Sequence, residues 1–188
     1  MRLVRQAARA AQGAESNYTN LRAEPPDHAL GRSRGGLSTK IHQLVDGKGR
    51  PLVVAVGAGQ AGDSPMLKVL LAHLTVRRAG PGRPRTRPDA LLGDRAYSSA
   101  ANRRLLRTKR IKTVIPQPAD QTAHRKRRGS AGGRPPAFDS TLYKDRNLVE
   151  RSFNDHKQWR GLATRYDKLA AVYRGGVVLR TIILWLRQ

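Results

Sequence analysis

Thirteen aspartates and glutamates are set among 37 lysines and arginines, so each carboxylate calls for an explanation. Turns, helix caps and local charge partners account for most of them. Two stand apart. Asp94 ends the apolar run Ala90-Leu-Leu-Gly-Asp94 and is followed at once by Arg95-Ala-Tyr-Ser98. A carboxylate at the C-terminal end of a buried strand lies where open α/β sheets place ligands, although pairing with Arg95 or capping the next helix would also suit it. Glu150 stands in Tyr143-x2-Arg146-x3-Glu150-x6-Lys157. At about 100° per residue, Tyr143 and Lys157 fall about 20° from Glu150 and Arg146 about 40° from it. One helical stripe then carries a phenol, a guanidinium, a carboxylate and an ammonium. Spacing alone is met as well by a solvated face with an Arg146–Glu150 pair, worth roughly 0.3 kcal/mol. The sharper chemistry is phosphodiester cleavage by two hard cations, one activating the attacking oxygen and one stabilising the leaving oxygen. Asp94 and Glu150 would be two of the usual three carboxylates, with Arg146 and Lys157 holding phosphates against the metals.

These residues need elements to position them. Ser38–Val45 alternates, Asp46-Gly-Lys-Gly49 supplies a turn and Pro51–Val56 is β-rich, which predicts a hairpin. Asp63 or Ser64 can cap a helix from about Pro65 to Thr75. Val76–Pro88 is a Pro/Gly/Arg loop. Ala90–Asp94 reads as a short strand, Ser98 or Ser99 as the cap of a helix to about Thr108, and Ile111–Ile115 as a strand stopped by Pro116. An exposed basic arm over about 118–136 carries Arg125, Lys126, Arg127 and Arg128. It reads as a phosphate-contacting segment rather than a solubilising loop. A long helix from about Thr141 to Trp159 and a last one from about Leu169 to Leu186 complete a mixed α/β pattern with one sheet and flanking helices. Residues 1–36 are irregular, a short helix attempt followed by a loop, and residues 37–188 form the main domain. His42 and His156 read as surface or edge histidines rather than ligands. The apolar last helix, with Trp185, reads as core or as the face of a homodimer.

The formal charge of +24 is spread through the chain and makes a polyanion the default partner. With 38% hydrophobic residues there is enough for a packed core, and with no cysteine there is no disulfide or thiolate zinc site. No apolar stretch approaches the roughly 20 residues of a membrane span, and Met1–Arg9 leads into no apolar signal segment. The composition points to a soluble cytoplasmic protein that faces nucleic acid. A non-catalytic basic binder is the main rival reading, and the Asp94/Glu150 pair argues against it, since a pure binder gains nothing from carboxylates near phosphate.

Gly31-Arg-Ser-Arg-Gly-Gly-Leu-Ser-Thr-Lys40-Ile-His, Leu92-Gly-Asp-Arg-Ala-Tyr-Ser98 and the Tyr143/Arg146/Glu150/Lys157 spacing resemble bacterial insertion-sequence transposases of the DDE class, in the branch grouped as insertion-sequence families four and five. The resemblance runs from about Asp27 to the C-terminus. It implies a ribonuclease-H-like fold, two Mg²⁺ ions, and cut-and-paste movement of double-stranded DNA ends into a target, in the bacterial cytoplasm at the nucleoid. Asp94 would match the second aspartate of the family and Glu150 its glutamate, with Tyr143, Arg146 and Lys157 on the DNA. The family's first aspartate sits on the first strand, upstream of the Gly-Arg-Ser-Arg-Gly-Gly segment. No aspartate precedes Asp27 here. The resemblance therefore implies a transposase lacking its N-terminal DNA-binding part, its first strand and one catalytic carboxylate, and so impaired in cleavage.

Overall fold

Alternation and turn chemistry produce the hairpin where the sequence puts it. In the computed structural model, which describes residues 20–187, β1 (Gly31–Ser33), β2 (Gly36–Val45) and β3 (Pro51–Ala58) form an antiparallel sheet in the order β1-β2-β3. Gly49, at φ +83°, closes the β2–β3 turn in a backbone region that favours glycine. The helix attempt at the N-terminus lies largely outside the described residues. The described residues divide into two compact units, the first running up to residue 62 and resuming at 148, the second over residues 63–147.

In the first unit, β3 is buried along nearly its whole length. Val54 and Val56 join Ala29, Leu162, Ala170, Tyr173 and Val177 in one cluster. The helical residues of that cluster come from α6 (Arg160–Ala163) and α7 (Ala170–Leu186), so the last helix covers the hairpin. The N-cap residue of α7, Leu169, offers no side-chain acceptor. Glu24 does so instead, from 146 residues away in sequence: its two carboxylate oxygens accept from the N–H groups of Ala170 and Ala171, each at 2.8 Å. A second seam is polar. On α5 (Asn147–Lys157) the buried residues are Ser152 and His156. His156 bonds the Ser152 carbonyl through Nδ1 at 2.8 Å and Thr181 Oγ1 through Nε2 at 3.2 Å. Arg180, 2% exposed, donates to the Asp155 carbonyl and to Gln158 Oε1 and lies over the Trp159 ring. His42 is also buried, at 4% exposure. Both histidines expected at the surface or an edge are therefore interior residues; for His156 the Ser152 carbonyl and the Thr181 hydroxyl supply the hydrogen bonds that burial requires.

The second unit is a short strand–helix–strand device. β4 (Ala90–Leu92) and β5 (Lys112–Val114) pair in parallel, and α2 (Ala100–Thr108) connects them. α1 (Met66–Ala72) buries Met66, Leu67, Leu70 and Leu71. Its N-cap position is taken by Pro65, which makes no side-chain cap bond, where Asp63 or Ser64 was expected. Among the described residues the strands thus form a three-stranded and a two-stranded sheet rather than the single expected sheet.

Two expectations for the basic and motif-bearing segments are corrected. The arm contains a helix, α3 (Ala119–Arg127), with Asp120 in its first turn and four basic residues in its last. That charge order suits the helix dipole, and Ala, Gln, Lys and Arg are good helix formers. The expected long helix is instead α4 (Ser140–Tyr143), a 3₁₀ turn over Lys144–Arg146, and α5. Asp145 and Asn147 compete with helical backbone bonding at this point. A 3₁₀ turn advances about 120° per residue, so the uniform 100° stripe from Tyr143 to Glu150 does not hold.

Candidate functional site

Asp94 stands exposed two residues beyond the end of β4. Gly93 before it is buried; a Cβ there would lie 3.4 Å from Ile115 Cγ1. Asp94 is the N-cap of a 3₁₀ turn over Arg95–Tyr97, and its Oδ1 accepts from Ala96 N–H at 2.9 Å. The cap reading of Asp94 is thus realised for one oxygen.

A polar network holds this turn. Ser99 caps α2 by accepting from Asn102 N–H. The buried Asn102 Nδ2 donates to Tyr97 O at 3.1 Å and to Ser64 O and Oγ at 3.1 and 3.0 Å. Ser98 Oγ donates to Gln121 Oε1 at 3.0 Å, and Gln121 Nε2 returns a bond to Ser98 O at 2.7 Å. The basic helix α3 is thereby tethered to the turn that follows Asp94. Burial pushes the Tyr97 phenol up to about 12, and the negative charges of Asp63 and Asp94 add to the effect. Asp63, expected as a cap, is therefore a second carboxylate in the electrostatic surroundings of Tyr97.

The other expected residues are distributed as follows. Lys126 and Arg127 are exposed in the last turn of α3 with Arg125 half-buried beside them, and Arg128 is the C-cap. Tyr143 ends α4, and the Arg146 guanidinium lies over its ring at 5.8 Å from the centroid. Glu150 is exposed in the first turn of α5, where the helix dipole favours a carboxylate, and Lys157 is exposed in the last. Glu150 and Lys157, seven residues apart, share a helix face. Asp94, Tyr143 and Arg146 belong to the second unit, Glu150 and Lys157 to the first.

Asp46 and Asp27 are already engaged. Asp46 accepts from the backbone N–H groups of Lys48 and Arg50 and from the Arg50 side chain at 2.7 Å. Burial alone would raise its pKa, but these bonds outweigh that and hold it below the usual range. Asp27 accepts from Ala29 N–H. Among the described residues no group of three His, Cys, Asp or Glu side chains is placed to hold a metal ion. The exposed carboxylates of Asp94 and Glu150 are nevertheless the hard oxygen donors that a small divalent cation accepts, and such a cation normally keeps several waters and takes only one or two carboxylates from protein. The donor chemistry fits.

Sequence reasoning missed Asn102, Gln121 and the true surroundings of Asp63. The Ser99-x2-Asn102 spacing could have flagged a helix start, but the reach of Asn102 back to Ser64, 38 residues away, has no local signature.

Residues 18–186 match the family model described as "Transposase DDE domain". A protein of Brucella ovis named "Putative transposase for insertion sequence element IS6501" is 30% identical over 151 residues, which is 80% of this chain and the whole of that protein. No solved structure matches. Divalent cations belong to the chemistry of this family. With its strand-end aspartate, its Tyr/Arg/Glu/Lys motif and a match over nearly its full length, the chain belongs to the DDE transposases of insertion-sequence elements.

Proposed function

We propose that the chain binds double-stranded DNA at insertion-sequence ends and takes part in metal-dependent phosphodiester cleavage and strand transfer. The observation that carries this reading is the occurrence together of Asp94, exposed beyond β4 on a turn braced by Asn102, and the Tyr143-x2-Arg146-x3-Glu150-x6-Lys157 motif. In this reading Asp94 and Glu150 are the carboxylates that hold Mg²⁺. Bound there, the cation would supply activation of the attacking oxygen and stabilisation of the leaving one. Tyr143, Arg146 and Lys157 hold phosphates. The Arg125–Arg128 cluster is a further backbone contact that positions DNA without reading its sequence. A ribonuclease-H-like arrangement is part of the proposal. So is a homodimer: Val172, Leu179, Ile182 and Leu186 are exposed on α7 at near-heptad spacing. Among the described residues no helix is long and apolar enough to cross a membrane. Action in the cytoplasm, at the nucleoid, belongs to the same reading.

No aspartate occurs among residues 1–26 to fill the family's first position, and Asp46 is locked by Arg50. We therefore expect slow turnover by these 188 residues alone. The test is cleavage and strand transfer on the element's own terminal repeats, with Mg²⁺ and with Mn²⁺. Weak activity abolished by Asp94→Asn and by Glu150→Gln supports the reading; activity indifferent to both contradicts it. The formal charge of +24 favours one alternative, a basic DNA-binding protein without catalysis. That reading predicts no cleavage under any condition.

A further inference from the structure

The second unit contains an open groove of about 780 Å³, within the size range of sites that enclose small organic ligands. Arg103 and Arg107 line it from α2, Lys112 from β5, and Arg134, Phe138 and Asp139 from the segment leading into α4. Four cations face one carboxylate, and that carboxylate has other work. Asp139 caps α4 through Leu142 N–H at 2.9 Å and holds Lys112 Nζ at 2.9 Å, so it ties the wall of the groove to β5. Arg103 is equally fixed: its Nη2 donates to Ser98 Oγ at 2.8 Å and to Ile115 O at 2.9 Å. Arg103 and Lys112 are thus held in place, and the exposed side chains of Arg107 and Arg134 add positive charge at the rim.

Phe138 adds a different chemistry. It is 45% exposed, and its ring meets Tyr143 at a centroid distance of 5.2 Å. An exposed phenylalanine by itself needs no explanation. One that lines a groove with four cations has the pairing that nucleic-acid sites use for unpaired strands, where charge follows the backbone and an aromatic face stacks a base. A duplex offers phosphates to such a groove but keeps its bases stacked inside, which leaves the ring nothing to stack on.

We propose that this groove holds an unpaired DNA strand, its phosphates against Arg103, Arg107, Lys112 and Arg134 and one base against Phe138. This rests on the DNA-binding part of the function proposed above and adds the form of DNA that the second unit takes. The test is fluorescence anisotropy of the 188-residue protein in EDTA, with a labelled single strand and with a blunt-ended two-strand duplex of the same sequence. Phe138→Ala should weaken binding to the single strand about fivefold or more and change duplex binding less than twofold. Phe138→Leu, which keeps apolar packing against Tyr143 but has no ring to stack, should do the same and guards against misfolding of the alanine variant. Arg107→Gln with Arg134→Gln should lower the log–log salt slope on the single strand by about 1.4. Equal losses on both DNAs, or losses on neither, overturn the groove assignment. Failure of wild type to bind either DNA overturns the DNA reading as a whole. Because no cation is present, loss of cleavage activity bears only on the earlier proposal and leaves this one standing.

Discussion

Glu24 shows what a single carboxylate does in this molecule. Burial by itself would raise its pKa, but the bonds from Ala171 and Ala170 N–H and from His28 outweigh that and hold it below the ordinary 4.5. A lowered folded-state value means that the unfolded chain binds the proton more readily. The contribution of Glu24 is therefore complete above pH 4.5 and is lost as pH falls through the lowered folded value. Glu24→Gln should flatten the acid limb of a stability–pH profile measured by urea melts. Glu24→Ala should cost about 1–2 kcal/mol at neutral pH, as for loss of a helix cap, and lower Tm by about 2–8 °C. An unchanged acid limb in Glu24→Gln would show that the α7 cap does not depend on this charge.

The polar seam between α5 and α7 raises the same question for whole elements. Arg180 is buried, and its hydrogen bonds go to a backbone carbonyl and a neutral amide. Burying a guanidinium on such partners costs desolvation, and an apolar residue of similar volume often serves as well or better. Arg180→Met should leave stability within about 1 kcal/mol of wild type or raise it, whereas Arg180→Ala should lose roughly 2 kcal/mol or more by opening a cavity; urea melts of both variants decide. This seam also marks how far the sequence can be read. The hairpin, the strands at Ala90–Leu92 and Lys112–Val114, the Ser99 cap and the last helix were legible, because alternation, turn residues and caps act over a few neighbours. His156 and His42 were not, because their partners or their burial come from distant segments. The break at Lys144–Arg146 was also hidden, since the motif spacing reads equally well through a continuous helix and through a 3₁₀ turn. Of the candidate site, type and spacing single out Asp94 and Glu150. Asn102, Gln121 and Phe138 could be seen only once segments far apart in sequence had been brought together.

For the molecule as a whole, a formal charge of +24 predicts that DNA affinity is governed by counterion release. If six or more phosphates are contacted, raising salt from 50 to 200 mM should weaken duplex binding by about 10³-fold. Replacing Arg125, Lys126, Arg127 and Arg128 by Gln should lower the log–log slope by about 3–4 with little change in sequence preference. A nearly flat salt dependence in a filter-binding titration would contradict this. The central claim, however, is that Asp94 and Glu150 hold the cation that acts on DNA, and charge alone says nothing about it. Binding of Mn²⁺, followed by electron paramagnetic resonance with and without terminal-repeat DNA, tests it most directly. Wild type should bind Mn²⁺ weakly alone and more tightly with DNA, and Asp94→Ala and Glu150→Ala should each remove the DNA-dependent gain. Titrations unchanged in both variants with DNA present would contradict the account.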